Sequence, residues 1–178
     1  DTCVMKTELF IRLIKEAKKL SSMYTLADIL KANCGTLDIR GVAHKGFFAS
    51  ITDFPSYYDA NMNLLDYKAA QELFHDNWPI YTRTNDSCPT QYFDTAEVKN
   101  SVISNGCQIE GTVENSVIGR GCVIKKGAVV KNSVVLAEVT VGEGVHVENE
   151  VVDKWARLVH EKEIVSPADQ PGYIRRGD

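Results

Sequence analysis

The 178-residue sequence predicts a mixed α/β stretch followed by a left-handed parallel β-helix built on hexapeptide repeats. Three observations carry that reading. The tetrad Asn100-Ser-Val-Ile returns as Asn115-Ser-Val-Ile, Asn132-Ser-Val-Val and Asn149-Glu-Val-Val, at spacings of 15, 17 and 17 residues. Aliphatic residues step by six within the repeats, from Ile103 to Ile109, from Ile118 through Ile124 to Val130, and from Val141 to Val147. Glycines such as Gly106, Gly121, Gly127 and Gly144 fall between these aliphatics, where turns are needed.

An aliphatic at every sixth position cannot line one face of an α-helix. It fits a prism in which each coil has three short flat strands, each turning one aliphatic toward the axis. Coils stack at roughly 4.8 Å, so equivalent residues form columns. Ile109, Ile124, Val141 and Leu158 are one such column. Asn100, Asn115, Asn132 and Asn149 recur at a corner, where their amides can bond along the stack. The sixfold step favours the left-handed form, an exception to right-handed crossovers.

Ahead of the repeats the pattern is helical. In Thr7–Leu20, Leu9, Phe10, Leu13, Ile14, Ala17 and Leu20 recur at helical spacing. Thr7 is the expected N-cap, and Lys18 and Lys19 suit the C-terminal end of the dipole. This apolar face needs a partner, expected to be the 56–74 helix or another copy of the chain. A shorter helix is expected over Leu26–Ala32, ending near Gly35, and a strand over Arg40–Ile51. Pro55 opens a long amphipathic helix over Ser56–Phe74. From Asp76 to Thr95, Trp78-Pro79, Cys88-Pro89 and the Thr84-Asn85-Asp86-Ser87 cluster interrupt both periodicities. The expected segments are therefore a mixed α/β part over 1–76, a linker pinned to a surface over 77–94, the β-helix over 95–165 and a tail over 166–178.

Composition bounds the function. Twenty Lys and Arg against 24 Asp and Glu give a net charge of −4, which argues against nucleic acid as a partner. No apolar run reaches the roughly 20 residues of a membrane span. The five cysteines, Cys3, Cys34, Cys88, Cys107 and Cys122, form no C-x-x-C pair and read as free thiols of a cytoplasmic protein. Asp1 stands where an initiator Met is expected, which reads as a fragment or a trimmed chain.

Few residues offer chemistry. The four histidines, His44, His75, His146 and His160, lack H-x-x-x-H spacing. His146, between Val145 and Val147, points outward by strand alternation. Cys107 and Cys122 share a repeat position with Val139 and Ala156, so they read as small side chains in one core column rather than a metal or disulfide pair. Neither a G-x-x-x-x-G-K-[ST] loop nor a G-x-S-x-G elbow is present. Lys125-Lys126 and Arg175-Arg176 read as solvated surface, or as a face for an anionic effector.

The succession Tyr57-Tyr-Asp-Ala-Asn-Met-Asn-Leu-Leu65, Asn77-Trp-Pro-Ile80, Asn100-Ser-Val-Ile and Gly106-Cys-Gln-Ile109 resembles the glucose-1-phosphate adenylyltransferases (ADP-glucose pyrophosphorylases). Val151-Val152-Asp153-Lys154 resembles that family's terminal coil. The resemblance implies the C-terminal end of a nucleotidyltransferase α/β domain followed by the β-helix. The parent reaction makes ADP-glucose and pyrophosphate from ATP and glucose 1-phosphate, for glycogen synthesis. Just before the YxxANM helix the family carries W-x-D-V-G-T, whose Asp helps bind magnesium. Here the aligned residues are Phe48-Ala-Ser-Ile-Thr-Asp53, and Ser50 stands at the metal-binding position. A neutral hydroxyl does not replace a carboxylate on Mg²⁺, and Asp53 lies three residues late. The resemblance therefore implies a non-catalytic, GlgD-type regulatory or assembly subunit with no catalytic, cofactor or metal residue of its own. Magnesium and ATP would belong to a catalytic partner subunit, in a hetero-oligomer, with a homo-oligomer as the alternative assembly. Two other readings stand beside it: a hexapeptide acyltransferase using His146 as general base, and a purely structural oligomerisation module.

Overall fold

The computed structural model describes residues 2–20, 25–75, 77–82, 84 and 86–177. Asp1, Asp76, Asn85 and the Leu20 side chain, all used in reading the sequence, lie outside the described residues. The chain divides into two compact units, Asp1–Lys45 and Gly46–Asp178.

The first unit pairs helix α1, Thr7–Leu20, with helix α2, Leu26–Ala32. Thr7 is the first helical residue rather than the cap, because the Lys6 carbonyl already accepts the Phe10 N–H at 3.1 Å. Thr25 caps α2 in a reciprocal box, its hydroxyl accepting the Asp28 N–H while Asp28 accepts the Thr25 N–H. Leu13 and Ala17 of α1 are buried against Ile29 of α2. Part of the apolar face of α1 is thus covered by α2. Phe10 sits off that face and stays 42% exposed. The stretch over Arg40–Ile51 forms no strand, since alternation alone supplies no neighbour for ladder hydrogen bonds.

The long helix expected over 56–74 is broken. It consists of helix α3, Phe54–Met62, a 3₁₀ turn over Asn63–Leu65, and helix α4, Tyr67–Leu73. Asp66 makes the break: its backbone is extended, at φ −72° and ψ 118°, and its carboxylate accepts the Lys68 N–H at 2.7 Å. Periodicity runs through the break, and only the cap betrays it.

Fifteen short strands, numbered in chain order, then wind into a three-faced parallel solenoid. One sheet stacks β1 (Gln91–Tyr92), β4 (Gln108–Ile109), β7 (Val123–Ile124), β10 (Thr140–Val141) and β13 (Arg157–Leu158). The second stacks β2 (Glu97–Lys99), β5 (Thr112–Glu114), β8 (Val129–Lys131), β11 (His146–Glu148) and β14 (Glu163–Val165). The third stacks β3 (Val102–Ile103), β6 (Val117–Ile118), β9 (Val134–Val135), β12 (Glu150–Val152) and β15 (Gly172–Ile174).

The registers reproduce the predicted columns. Ile109 pairs with Ile124, Ile124 with Val141, and Val141 with Leu158. Val113, Val130 and Val147 form the second axial column, and Ile118, Val135 and Val152 the third. These side chains are at most 5% exposed, each worth about 1.5–3 kcal/mol of burial. One coil is two residues shorter because Gly111 turns the corner between β4 and β5. A β-carbon at Gly111 would strike the carbonyl oxygens of Ala128 and Lys125.

Stacking starts at Gln91, inside the stretch read as a linker, and ends at Ile174, inside the stretch read as a tail. Both end coils lack a neighbour on one side, so their residues escape the hydrophobic rule; Tyr92 is 55% exposed. The last coil also carries five extra residues, since Val151 pairs with Tyr173, 22 residues on, where Val134 pairs with Val151, 17 residues on.

Corner chemistry has two ladders. Asn100, Asn115, Asn132 and Asn149 all hold the left-handed conformation, with φ between 44° and 57°. Asn100 Nδ2 donates to Asn115 Oδ1 at 2.8 Å. The adjacent serines form the ladder that sequence reading missed. Ser101 Oγ accepts the Ser116 N–H, Ser116 Oγ accepts the Ser133 N–H, and Ser133 Oγ accepts the Glu150 N–H, each at 3.1 Å.

Candidate functional site

The segment of greatest interest is the one that resembles the family's metal-binding turn, residues 48–53, because it feeds directly into α3. Ser50 is exposed. Asp53 is extended, at φ −150° and ψ 179°, and N-caps α3: its Oδ1 accepts the Ser56 N–H at 2.9 Å, and Ser56 Oγ accepts the Asp53 N–H at 3.1 Å. The Ser56 hydrogen bonds hold the Asp53 carboxyl below its ordinary value. Pro55 sits in the first turn, where it lacks only an N–H that the helix does not need. Asp53, three residues after Ser50, is therefore engaged in a cap.

α3 is seated on the outer surface of the third sheet. Tyr58 is buried with Val134 and Val151, and Phe54, Tyr57 and Met62 pack around them. This explains why β9 and β12 read as continuous valines: their strands are covered on both sides. The Tyr58 hydroxyl donates to the Asn132 carbonyl, and burial pushes its pKa up. The Phe54 and Tyr173 rings meet edge to face at 5.9 Å. Tyr173 Oη in turn donates to Asp153 Oδ2 at 2.8 Å. The turn carrying Ser50 is thus three residues from a helix locked to the solenoid.

His146 opens β11 and faces outward, as alternation predicts. Its Nε2 lies 3.1 Å from Glu148 Oε2 and its Nδ1 lies 3.5 Å from Glu163 Oε1. Glu148 lies on the same strand and Glu163 on the next coil, so two carboxylates flank one imidazole. Cys107 and Cys122 are buried, free and aligned with Val139 and Ala156, their thiols donating to the Gly119 and Leu136 carbonyls. The neighbouring Cys107 thiol, with burial behind it, pushes the Cys122 thiol up. They belong to the core column.

Magnesium is the metal the family resemblance implies, and the residues present do not suit it. A hydroxyl at Ser50 supplies no charge, and Asp53 is engaged with Ser56. Among the described residues, no three His, Cys, Asp or Glu side chains converge as a metal set.

Residues 89–170 match the family described as GlmU-like, C-terminal hexapeptide, which covers the solenoid. Most of the chain also matches longer curated proteins. It is 34% identical over 141 residues to the glucose-1-phosphate adenylyltransferase of Fervidobacterium nodosum, covering 79% of this chain and 34% of that protein. It is 31% identical over 153 residues to the glycogen biosynthesis protein GlgD of Bacillus subtilis, covering 86% of this chain and 45% of that protein. Over most of its own length the chain is similar to glucose-1-phosphate adenylyltransferase and GlgD. GlgD of Geobacillus stearothermophilus is a further relative, 35% identical over 127 residues, 71% of this chain and 37% of that protein. The chain thus spans between a third and half of the length of these relatives.

No described helix is long and apolar enough to cross a membrane. Of the residues singled out in the sequence, the structure brings Cys107 and Cys122 together and brings His146 to Glu148 and Glu163. It separates Ser50 from any convergent set of carboxylates among the described residues. The docking residues Tyr58, Phe54 and Tyr173 carried no signal of their own, beyond the valine pairs Val134-Val135 and Val151-Val152 that call for a cover.

Proposed function

We propose that this chain is the C-terminal part of a non-catalytic, GlgD-type subunit of glucose-1-phosphate adenylyltransferase, acting in regulation or assembly in the cytoplasm. The commitment of Asp53 to the α3 cap, with Ser50 at the metal-binding position, carries the proposal. The parent enzyme makes ADP-glucose from ATP and glucose 1-phosphate, with magnesium and ATP held by the catalytic subunit. Because α3 is anchored to the third sheet, the solenoid bears directly on the turn over 48–53. A solenoid contact with the catalytic subunit would then bias that subunit's affinity for substrate, which is the coupling allostery requires.

The test is synthesis of ADP-glucose by the full-length subunit, alone and mixed with its catalytic partner. The expected result is no synthesis alone and a changed substrate affinity on mixing. Robust synthesis by the subunit alone overturns the proposal. Mixing that alters assembly while leaving kinetics unchanged reduces it to a structural module.

A further inference from the structure

Glu150 breaks the serine ladder. It occupies the position of Ser101, Ser116 and Ser133, yet it is only 4% exposed. Its carboxylate has one hydrogen-bond donor, Ser166 Oγ, at 2.5 Å from Oε1. Across the sheet it faces Gly172, its register partner in β15. A β-carbon at 172 would collide with Oε2 of Glu150 and Oγ of Ser166, so the glycine makes room for the carboxylate. Ser166 and Gly172 bracket the five extra residues of the last coil. The strap 166–174 therefore lies against the carboxylate at both Ser166 and Gly172.

That strap lies at the C-terminal end of the solenoid. β15 is an edge strand, paired only with β12. Beside its ladder with β12, the strap is tied by Gly172 N–H to the Asn149 carbonyl, Asp153 N–H to the Ile174 carbonyl, Asn149 Nδ2 to the Ser166 carbonyl, Ser166 N–H to the Glu148 carbonyl, and the Ser166 and Tyr173 hydroxyls to Glu150 and Asp153. Local opening of such an element costs far less than global unfolding.

We infer that residues 166–174 form a proton-operated latch, closed over neutral Glu150 and opened when that carboxylate ionises and must be hydrated. Opening carries Tyr173 away from Phe54 and Asp153, and so loosens the seat of α3.

The charged groups on every packed element face elsewhere. Asp153 accepts from Tyr173, Glu148 and Glu163 lie against His146, and Lys131 lies near Glu114. On α3, Asp53 binds Ser56 and Asp59 is exposed. In the strap itself Asp169 is exposed; beyond β15, Arg176 stacks on Trp155, and Arg175 is exposed. None offers Glu150 a cation. Burial holds its carboxyl above the ordinary 4.5, against a smaller opposing effect of the Ser166 hydroxyl. The closed state therefore binds the proton more tightly than the open one. Closure is strongest at low pH and is lost as pH rises from the ordinary value through the folded one.

Amide exchange of residues 166–176, corrected for intrinsic rates, tests this in the full chain. The opening constant should rise with pH by roughly tenfold for each unit by which the closed carboxyl exceeds its open value. In the Glu150→Gln variant the opening constant should be flat. Fluorescence of Trp155, in a Trp78→Phe background, should follow the same curve, because opening withdraws Arg176 from 4.1 Å above its ring. The Ser166→Ala variant removes the donor to the ionised form and should extend the rise to higher pH. A wild-type curve that Glu150→Gln leaves unchanged overturns the latch. If Glu150→Gln fails to fold, an unchanged curve in Ser166→Ala does so instead.

Discussion

Tyr58 and Asn132 stand 74 residues apart in the chain, and the Tyr58 hydroxyl donates to the Asn132 carbonyl at 2.5 Å. The acceptor is the backbone of a left-handed corner, at φ 44°, and the donor rides on a helix. This bond fixes the rotation of α3 on the third sheet. Tyr58→Phe keeps the ring and leaves the Asn132 carbonyl without its donor. It should lower stability by about 1–2 kcal/mol, read as a shift of the urea midpoint. Exchange of the α3 amides should rise more than that of β8 or β11.

Column position decides the cost of a cavity. Val130 is sealed between Val113 and Val147, whereas Val98, at the open end of the same column, is 41% exposed. Val130→Ala should cost about 2–3 kcal/mol, and Val98→Ala under about 1 kcal/mol. Equal losses in denaturant titrations would mean that the end coil is covered.

Thiol accessibility separates the cysteines into two classes. Cys3, Cys34 and Cys88 are exposed, while Cys107 and Cys122 are buried in the column. Alkylation of the native chain should modify the first three quickly and the last two only on unfolding, as intact-mass analysis will show. Rapid loss of all five would contradict the packed column.

The α3 cap should fail in acid. The Asp53 carboxyl is held below its ordinary 3.8 by Ser56, so its contribution is present above that value. The contribution is lost as pH falls through the lower, folded value. Exchange at the first turn of α3 should accelerate there, and the Asp53→Asn variant should lack that step.

The repeat was legible because stacking makes equivalent residues share one environment; Ile109, Ile124, Val141 and Leu158 had to be alike. The same logic hid the ends, since Tyr92 and Tyr173 have a coil on only one side and need not resemble the column. The Asn corner was visible and its neighbour was overlooked, because serine is common in turns and its ladder depends on where Oγ turns. The break at Asp66 was invisible to periodicity, since a 3₁₀ turn carries the apolar stripe on. At the candidate site, Ser50 was found by its place in a family motif. The role of Asp53 could have been found locally, as Asp-x-x-Ser with proline in the first turn marks a helix start.

The short corner at Gly111 has a consequence for how the stack finds its order. Four coils built alike could zip together one rung out of step, with every valine still meeting a valine. A rung two residues shorter than its fellows breaks that equivalence, for its clipped corner sits against the full corner 125–128, where only a residue without a β-carbon clears the Ala128 and Lys125 carbonyls. Gly111 thereby works as a key cut into an otherwise repetitive ladder, giving the assembling chain a single frame.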